Sequence, residues 1–140
     1  MHIPPHDNDN RPIIDINDAK VPYAFFNRVT LNRDEEFVYE LKEYESCIVP
    51  ATGSIIVNVY SLDERLIGNR VNNVWDGEPE GVYVPTGLIA KIKCACDHAE
   101  IFIAGAKYSE QLQPFYIMDD DLDIVQYGSD DTKTHRKIKH

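Results

Sequence analysis

The segment Gly81-Val-Tyr-Val-Pro-Thr-Gly87 constrains this chain most. Proline cannot donate to a β-ladder, and glycine reaches backbone conformations closed to other residues. Pro85-Thr-Gly87 therefore stops one strand, Val82–Val84, and turns the chain into the next. Leu88 to Cys96 then alternates, with Ala90, Ile92, Cys94 and Cys96 opposite Lys91 and Lys93. Period two is the mark of a half-buried strand. The polar stretch Gly68-Asn-Arg-Val-Asn-Asn-Val-Trp-Asp-Gly77 precedes this corner.

The same period runs through most of the chain. Tyr23, Phe25, Val29 and Leu31 share one face of a strand, with Arg28 and Thr30 on the other. Asn32 to Glu35 reads as a turn, and Phe37, Tyr39 and Leu41 give a second alternating run. Cys47–Pro50 and Ser54–Tyr60 flank Ala51-Thr-Gly-Ser54, which predicts a hairpin, with Pro50 at an edge or a bulge. Asp97-His98 predicts a tight turn, after which Glu100–Ala104 returns antiparallel. Pro114–Met118 and Leu122–Tyr127 are further strand candidates around an acidic loop at Asp119–Asp121. Ile13–Ile16 reads as a short edge strand. Helix candidates are short, at Asn17–Lys20 and Ser61–Arg65, the latter within a charged loop. Strands at this spacing predict a sandwich or barrel.

The 140 residues suit a single domain, with 43% apolar residues for its core. Residues 1–20 read as a lead-in, loose over Met1–Asn10, 21–128 as the barrel, and 129–140 as a tail or a linker toward a second barrel. A net charge of -10 repels phosphate backbones, which argues against a nucleic-acid partner. Three cysteines, an odd number, argue against a disulfide framework and for reduced thiols, hence a cytoplasmic location. The polar N-terminus predicts no secretory signal, and no apolar run is long enough to span a membrane.

The order of Gly53, Ile67-Gly68-Asn-Arg70, Val74-Trp-Asp-Gly77, Val82-Tyr-Val-Pro-Thr-Gly87 and Glu100-Ile-Phe-Ile-Ala-Gly105 resembles the N-terminal half of the bicupin sugar isomerases. These are 5-deoxy-glucuronate isomerase of inositol catabolism and its relative 4-deoxy-L-threo-5-hexosulose-uronate ketol-isomerase. The end, Tyr127-Gly128 with Thr134-His-Arg-Lys-Ile138, resembles the linker into their second barrel. The resemblance implies an all-β, jelly-roll-like antiparallel barrel of the cupin type. It also implies an aldose–ketose isomerisation of a deoxy-uronic acid in the complete enzyme. The divalent metal of that family, such as zinc, lies in the C-terminal barrel. No catalytic residue, metal ligand or cofactor-binding residue carries over onto this chain.

The resemblance also marks where a metal-binding cupin would differ. Its first motif places histidines and a glutamate before Gly53, where this chain reads Tyr44-Glu-Ser-Cys-Ile-Val-Pro-Ala-Thr-Gly53. Its second places a histidine where this chain has Ala90. An apolar or small-polar interior is expected instead. Cys94, Cys96, His98 and Glu100 are the rival, since residues spaced by two share a strand face and thiolate and imidazole suit zinc. A turn at Asp97-His98 would separate them, leaving buried thiols as the plainer reading. His2, His6, His135 and His140 read as solvated termini. Asp119, Asp120, Asp121 and Asp123 lack the glycine and distal glutamate of a calcium loop. Trp75, Tyr23, Tyr39, Tyr44, Tyr60 and Tyr83 could line a sugar-binding mouth, but core packing is the usual role of such residues in a β-protein.

Three functions follow. The first is a metal-free structural barrel, inactive alone, that packs on a C-terminal cupin half or forms a homo-oligomer. The second is a stand-alone degenerate cupin that binds a small sugar or uronic acid without turnover. The third is a small metalloprotein using Cys94, Cys96 and His98. Should the short chain turn substrate over, Glu45 joins Cys94, Cys96 and His98 as a catalytic candidate.

Overall fold

A computed structural model describes residues 6–129, 131, 133, 134 and 136–139. Its ten strands are β1 (Ala24–Asn32), β2 (Glu36–Glu40), β3 (Tyr44–Val59), β4 (Leu62–Arg70), β5 (Gly81–Val84), β6 (Ile89–Cys94), β7 (His98–Lys107), β8 (Phe115–Ile117), β9 (Ile124–Tyr127) and β10 (Arg136–Lys139). A 3-10 turn spans Asp119–Asp121. The expected helix at Asn17–Lys20 is a set of turns, and of Ser61–Arg65 only Ser61 lies in a turn while Leu62–Arg65 open β4.

One strand joins the two walls of the barrel. The first half of β3 pairs with β7 and β5, in the order β1-β7-β3-β5-β8. Its second half pairs with β4 and β6, and β6 carries β2. All these pairings are antiparallel. The expected hairpin at Ala51–Ser54 is absent, and β3 runs straight through it. The register with β7 shifts between Pro50 and Thr52, and Gly53 has a φ of 78°. The extra residue of a bulge reverses which side chains face inward. Tyr44, Ser46 and Ile48 are buried before it, and Ile55, Val57 and Val59 after it. Pro50 stands at this irregularity, where its missing donor costs nothing.

The core lies between the walls. Phe25, Val29 and Leu31 of β1 meet Ile101 and Ile103 of β7 and Ile48 of β3. Ala90, Ile92 and Cys94 of β6 close the other side with Val57 and Val59. Tyr23, expected on the inner face of β1, is exposed, and Asn27 takes an inward place. Asn27 donates to the Asn10 carbonyl at 3.0 Å and accepts from the Asn8 side chain at 2.9 Å. β7 does not pair with β6 as expected. It crosses to the opposite wall, and the β6–β7 turn lies against the β1–β2 turn, bonded there by Arg33 and Asp97.

The lead-in is not loose where it is described. Ile14 pairs with Phe26, and the Asn10 side chain donates to the Thr30 carbonyl at 3.0 Å while accepting its N–H at 2.8 Å. A side-chain amide thus substitutes for a neighbouring strand on the free edge of β1. The Tyr44 hydroxyl clamps the same segment, donating to the Pro22 carbonyl at 2.5 Å and accepting from the Asn17 N–H at 2.9 Å. Part of the expected tail, β10, pairs with β9 in a separate two-stranded sheet.

Candidate functional site

The place where a metal-binding cupin would carry its second-motif histidine is filled by hydrocarbon. Ala90 is fully buried and pairs with Val59 on one side and Tyr39 on the other. Ile48, Ile92, Val57 and Val84 occupy the same interior. The polar atoms nearby satisfy each other, with Tyr39 and Ser46 hydroxyls 2.9 Å apart. Burial holds the Tyr39 phenol far above its usual range. A divalent cation needs several imidazole, thiolate or carboxylate donors. The side chains lining this interior do not supply them.

The rival cluster does not converge. Cys94 faces the core, and the Cys94 and Cys96 sulfurs are 3.9 Å apart. His98 is exposed, its Nδ1 3.4 Å from Asn32. Glu100 points to the outer face, paired with Arg28 at 3.0 Å. Cys96 is occupied by backbone, 3.2 Å from the Ser54 N–H and 3.1 Å from the His98 carbonyl. Burial raises the Cys94 thiol, whereas for Cys96 burial is outweighed by the hydrogen bonds with Ser54, His98 and Cys94 taken together, and the thiol is lowered. Among the described residues no group of three or more His, Cys, Asp and Glu is placed to hold a metal.

The aromatic residues do not form one mouth. Trp75 is 90% exposed and Tyr60 80%, both on turns, while Tyr44 lies in the core and Tyr39 packs against it. Tyr83 stacks on Phe115 at 5.0 Å and donates to Glu45 at 2.7 Å on the outer face of the first wall. The carboxylate of Asp121 accepts from the Met118 N–H at 3.3 Å, capping the acidic turn. His6 is exposed. His2, His135 and His140 lie outside the described residues.

Two features escaped the sequence reading. One is a cleft of about 370 Å³ at the end of the barrel where Gly53 meets Arg70, lined also by Ser54, Asn69, Cys96, Asp97 and His98. Arg70 belongs equally to an adjoining cleft of about 510 Å³ beside Trp75. Only the bulge, which the sequence showed as a glycine between strands, hinted at it. The other is the aromatic pairing on the outer face of the first wall. The face of β2, β6 and β4 carries Glu36–Lys91 and Lys93–Asp34 ion pairs beside exposed Val38, Leu66 and Ile89. The face of β1, β7, β3 and β5 carries a Phe26–Phe102 stack at 5.7 Å and the Tyr83–Phe115 stack beside the Arg28–Glu100 ion pair and Glu45.

The two facing antiparallel walls that share one long bulged strand form a barrel of the cupin type. The chain belongs to the KduI/IolB family, whose profile matches residues 2–140. It is 28% identical over 116 residues to a 5-deoxy-glucuronate isomerase of Listeria monocytogenes, covering 81% of this chain and 42% of the relative. An IolB-like protein of Salmonella typhimurium superposes with a TM-score of 0.74 at 21% identity, over 84% of this chain and 43% of that one. An RmlC-like cupin of Methanocaldococcus jannaschii gives a TM-score of 0.52 at 15% identity, over 77% and 92%. The chain thus spans less than half the length of the isomerase it matches. No helix among the described residues is long and apolar enough to cross a membrane.

Proposed function

We propose that this chain is the metal-free, structural barrel of a 5-deoxy-glucuronate isomerase-like protein, and that it does not turn substrate over by itself. Aldose–ketose isomerisation needs a base to move a proton and an electrophile to hold the developing oxyanion. The observation that carries the proposal is Ala90, fully buried against Val59 and Tyr39 where the fold would otherwise place a ligand. An interior closed by aliphatic side chains leaves the barrel a packing role. Its occupant is a second cupin barrel, of the kind that would account for the remaining length of the isomerase relative.

The two aromatic stacks on the outer face of β1, β7, β3 and β5 support that role, because apolar patches on a sheet face commonly mark contact surfaces. Ala104 sits on this face, exposed, between Phe26 and Cys47 in register. Ala104→Arg is expected to leave the denaturation midpoint of the barrel alone unchanged. It is expected to lower the midpoint of a protein in which a second barrel follows. Equal midpoints with and without the substitution in the longer protein would remove the packing role.

A further inference from the structure

We propose that Cys94 and Cys96 form a reversible disulfide on exposure to hydroperoxides, with Cys96 as the attacking thiol and Cys94 as the resolving one. Both sulfurs lie at the Gly53 end of the barrel. They are remote from the aromatic stacks of the outer face, so this chemistry stands or falls separately from the packing role.

The two sulfurs are already neighbours. Residues spaced by two on an extended strand stand about 6.6 Å apart, and their side chains run side by side. Here β6 ends at Cys94 and the chain bends at Cys96, which brings the sulfurs to 3.9 Å. The third cysteine, Cys47, lies on the outer face of β3, in register with Ala104 and Tyr83. A backbone spacing of about 6.6 Å is near the upper limit for a disulfide. A bond closed across it is strained, and strained disulfides are the readily reduced ones.

Burial divides the roles. Cys96 is half-buried and lines the cleft of about 370 Å³, through which a small peroxide reaches it. Cys94 is fully buried behind it. The Ser54 N–H donates to the Cys96 sulfur at 3.2 Å, and a hydrogen bond of this kind favours the thiolate. The thiolate is the form that attacks. The lowered Cys96 thiol and the raised Cys94 thiol agree with that order.

The chemistry closes without a further reactant. The Cys96 thiolate attacks one oxygen of hydrogen peroxide, an S–O bond forms and the O–O bond breaks. The departing hydroxide takes a proton from solvent and becomes water, leaving Cys96 as a sulfenic acid. The Cys94 sulfur then attacks the Cys96 sulfur. The S–S bond forms, the S–O bond breaks, and the hydroxyl leaves as water with the Cys94 proton. Two thiols lose two electrons in all, and one peroxide is reduced to two waters.

The bond acts on the bulge. Bonded sulfurs stand about 2 Å apart, and Cys94 is fixed in a close-packed core. Cys96 is therefore the residue that moves, away from the Ser54 N–H. Ser54 follows Gly53 at the point where β3 passes from one wall to the other.

Trypsin separates the thiols, because Cys94 and Cys96 share the peptide Cys94–Lys107 and Cys47 falls in another. After hydrogen peroxide treatment of the 140-residue protein, this peptide is expected to be lighter by two hydrogens, and dithiothreitol should reverse the change. The Ser54 amide should exchange faster in the oxidised protein. Cys96→Ser should slow the loss of the Cys94 thiol roughly tenfold or more. Cys94→Ala should leave a sulfenic acid on Cys96 that dimedone captures, and Cys47→Ser should change nothing. Should either core variant unfold, the peptide mass of the parent still decides. A peptide of unchanged mass, one carrying added oxygen without the bond, or one cross-linked to a second chain would overturn the proposal. Unchanged exchange at Ser54 would overturn the link to the bulge.

Discussion

Gly68 approaches Gly53 so closely that a methyl group on Gly68 would lie 2.4 Å from the Gly53 carbonyl oxygen. The two residues sit on β4 and β3 just where β3 passes from one wall to the other. Gly68 also has a φ of 95°, which side-chain-bearing residues adopt only with strain. Gly87, at the Pro85 corner, has a φ of 72° but open space around its Cβ position. Gly68→Ala is therefore expected to cost several-fold more stability than Gly87→Ala, which should cost about 1 kcal/mol. Chemical denaturation of both variants checks the order. Equal costs would mean that strain alone, and not the strand crossing, sets the requirement for glycine.

Restoring the missing imidazole should harm the fold. Ala90 is fully buried between Val59 and Tyr39, so Ala90→His adds volume and an unpartnered polar ring to a closed interior. Overpacking alone costs about 1–3 kcal/mol. The variant is expected to lose at least that much stability, and added zinc should not return it. A zinc-dependent rise in the midpoint would show latent ligands in the interior.

At Thr30 the free edge of β1 is closed by one side chain. Asn10 both donates to and accepts from the Thr30 backbone, and its own φ of 58° is one that asparagine tolerates better than most residues. Asn10→Ala is expected to cost about 1–3 kcal/mol and to speed amide exchange at Thr30. Unchanged exchange at Thr30 would mean the lead-in does not seal the edge.

Tyr83 links stability to alkaline pH. Burial, and then the hydrogen bond and charge of Glu45, push its phenol up to about 12. The folded chain keeps this proton at a pH where the unfolded chain loses it. The contribution is therefore complete below about pH 10 and is lost as the pH rises toward 12. Burial moves Tyr39 in the same direction. Tyr83→Phe should flatten the fall in stability over that range, and the tyrosine absorbance of the folded protein should titrate late. A Tyr83→Phe profile parallel to the parent would remove the Glu45 contact from the account.

The strands were legible because alternation survives wherever one face is buried, as in β1, β6 and the first half of β3. Gly53 was legible as a break and misleading about its kind. A parity reversal inside one strand and a hairpin give the same local pattern, because both need a residue of positive φ between two apolar runs. Only the partners of β3 tell them apart. Ser61–Arg65 misled for a related reason: an exposed strand such as the start of β4 has no buried face to create a period. The filled interior could be anticipated from Ala90, since one missing side chain is visible in a sequence. The cleft at Arg70 could not, because Gly53, Arg70 and His98 are far apart in the chain and are brought together by the bulge.

The account rests on a barrel that lacks the groups for isomerisation. The most direct measurement is turnover of 5-deoxy-glucuronate by the purified 140-residue protein, with and without added zinc or manganese. No turnover is expected under either condition. Turnover that is saturable and is abolished by substitution of Glu45, Cys94, Cys96 or His98 would contradict the structural role and place a catalytic centre in this barrel.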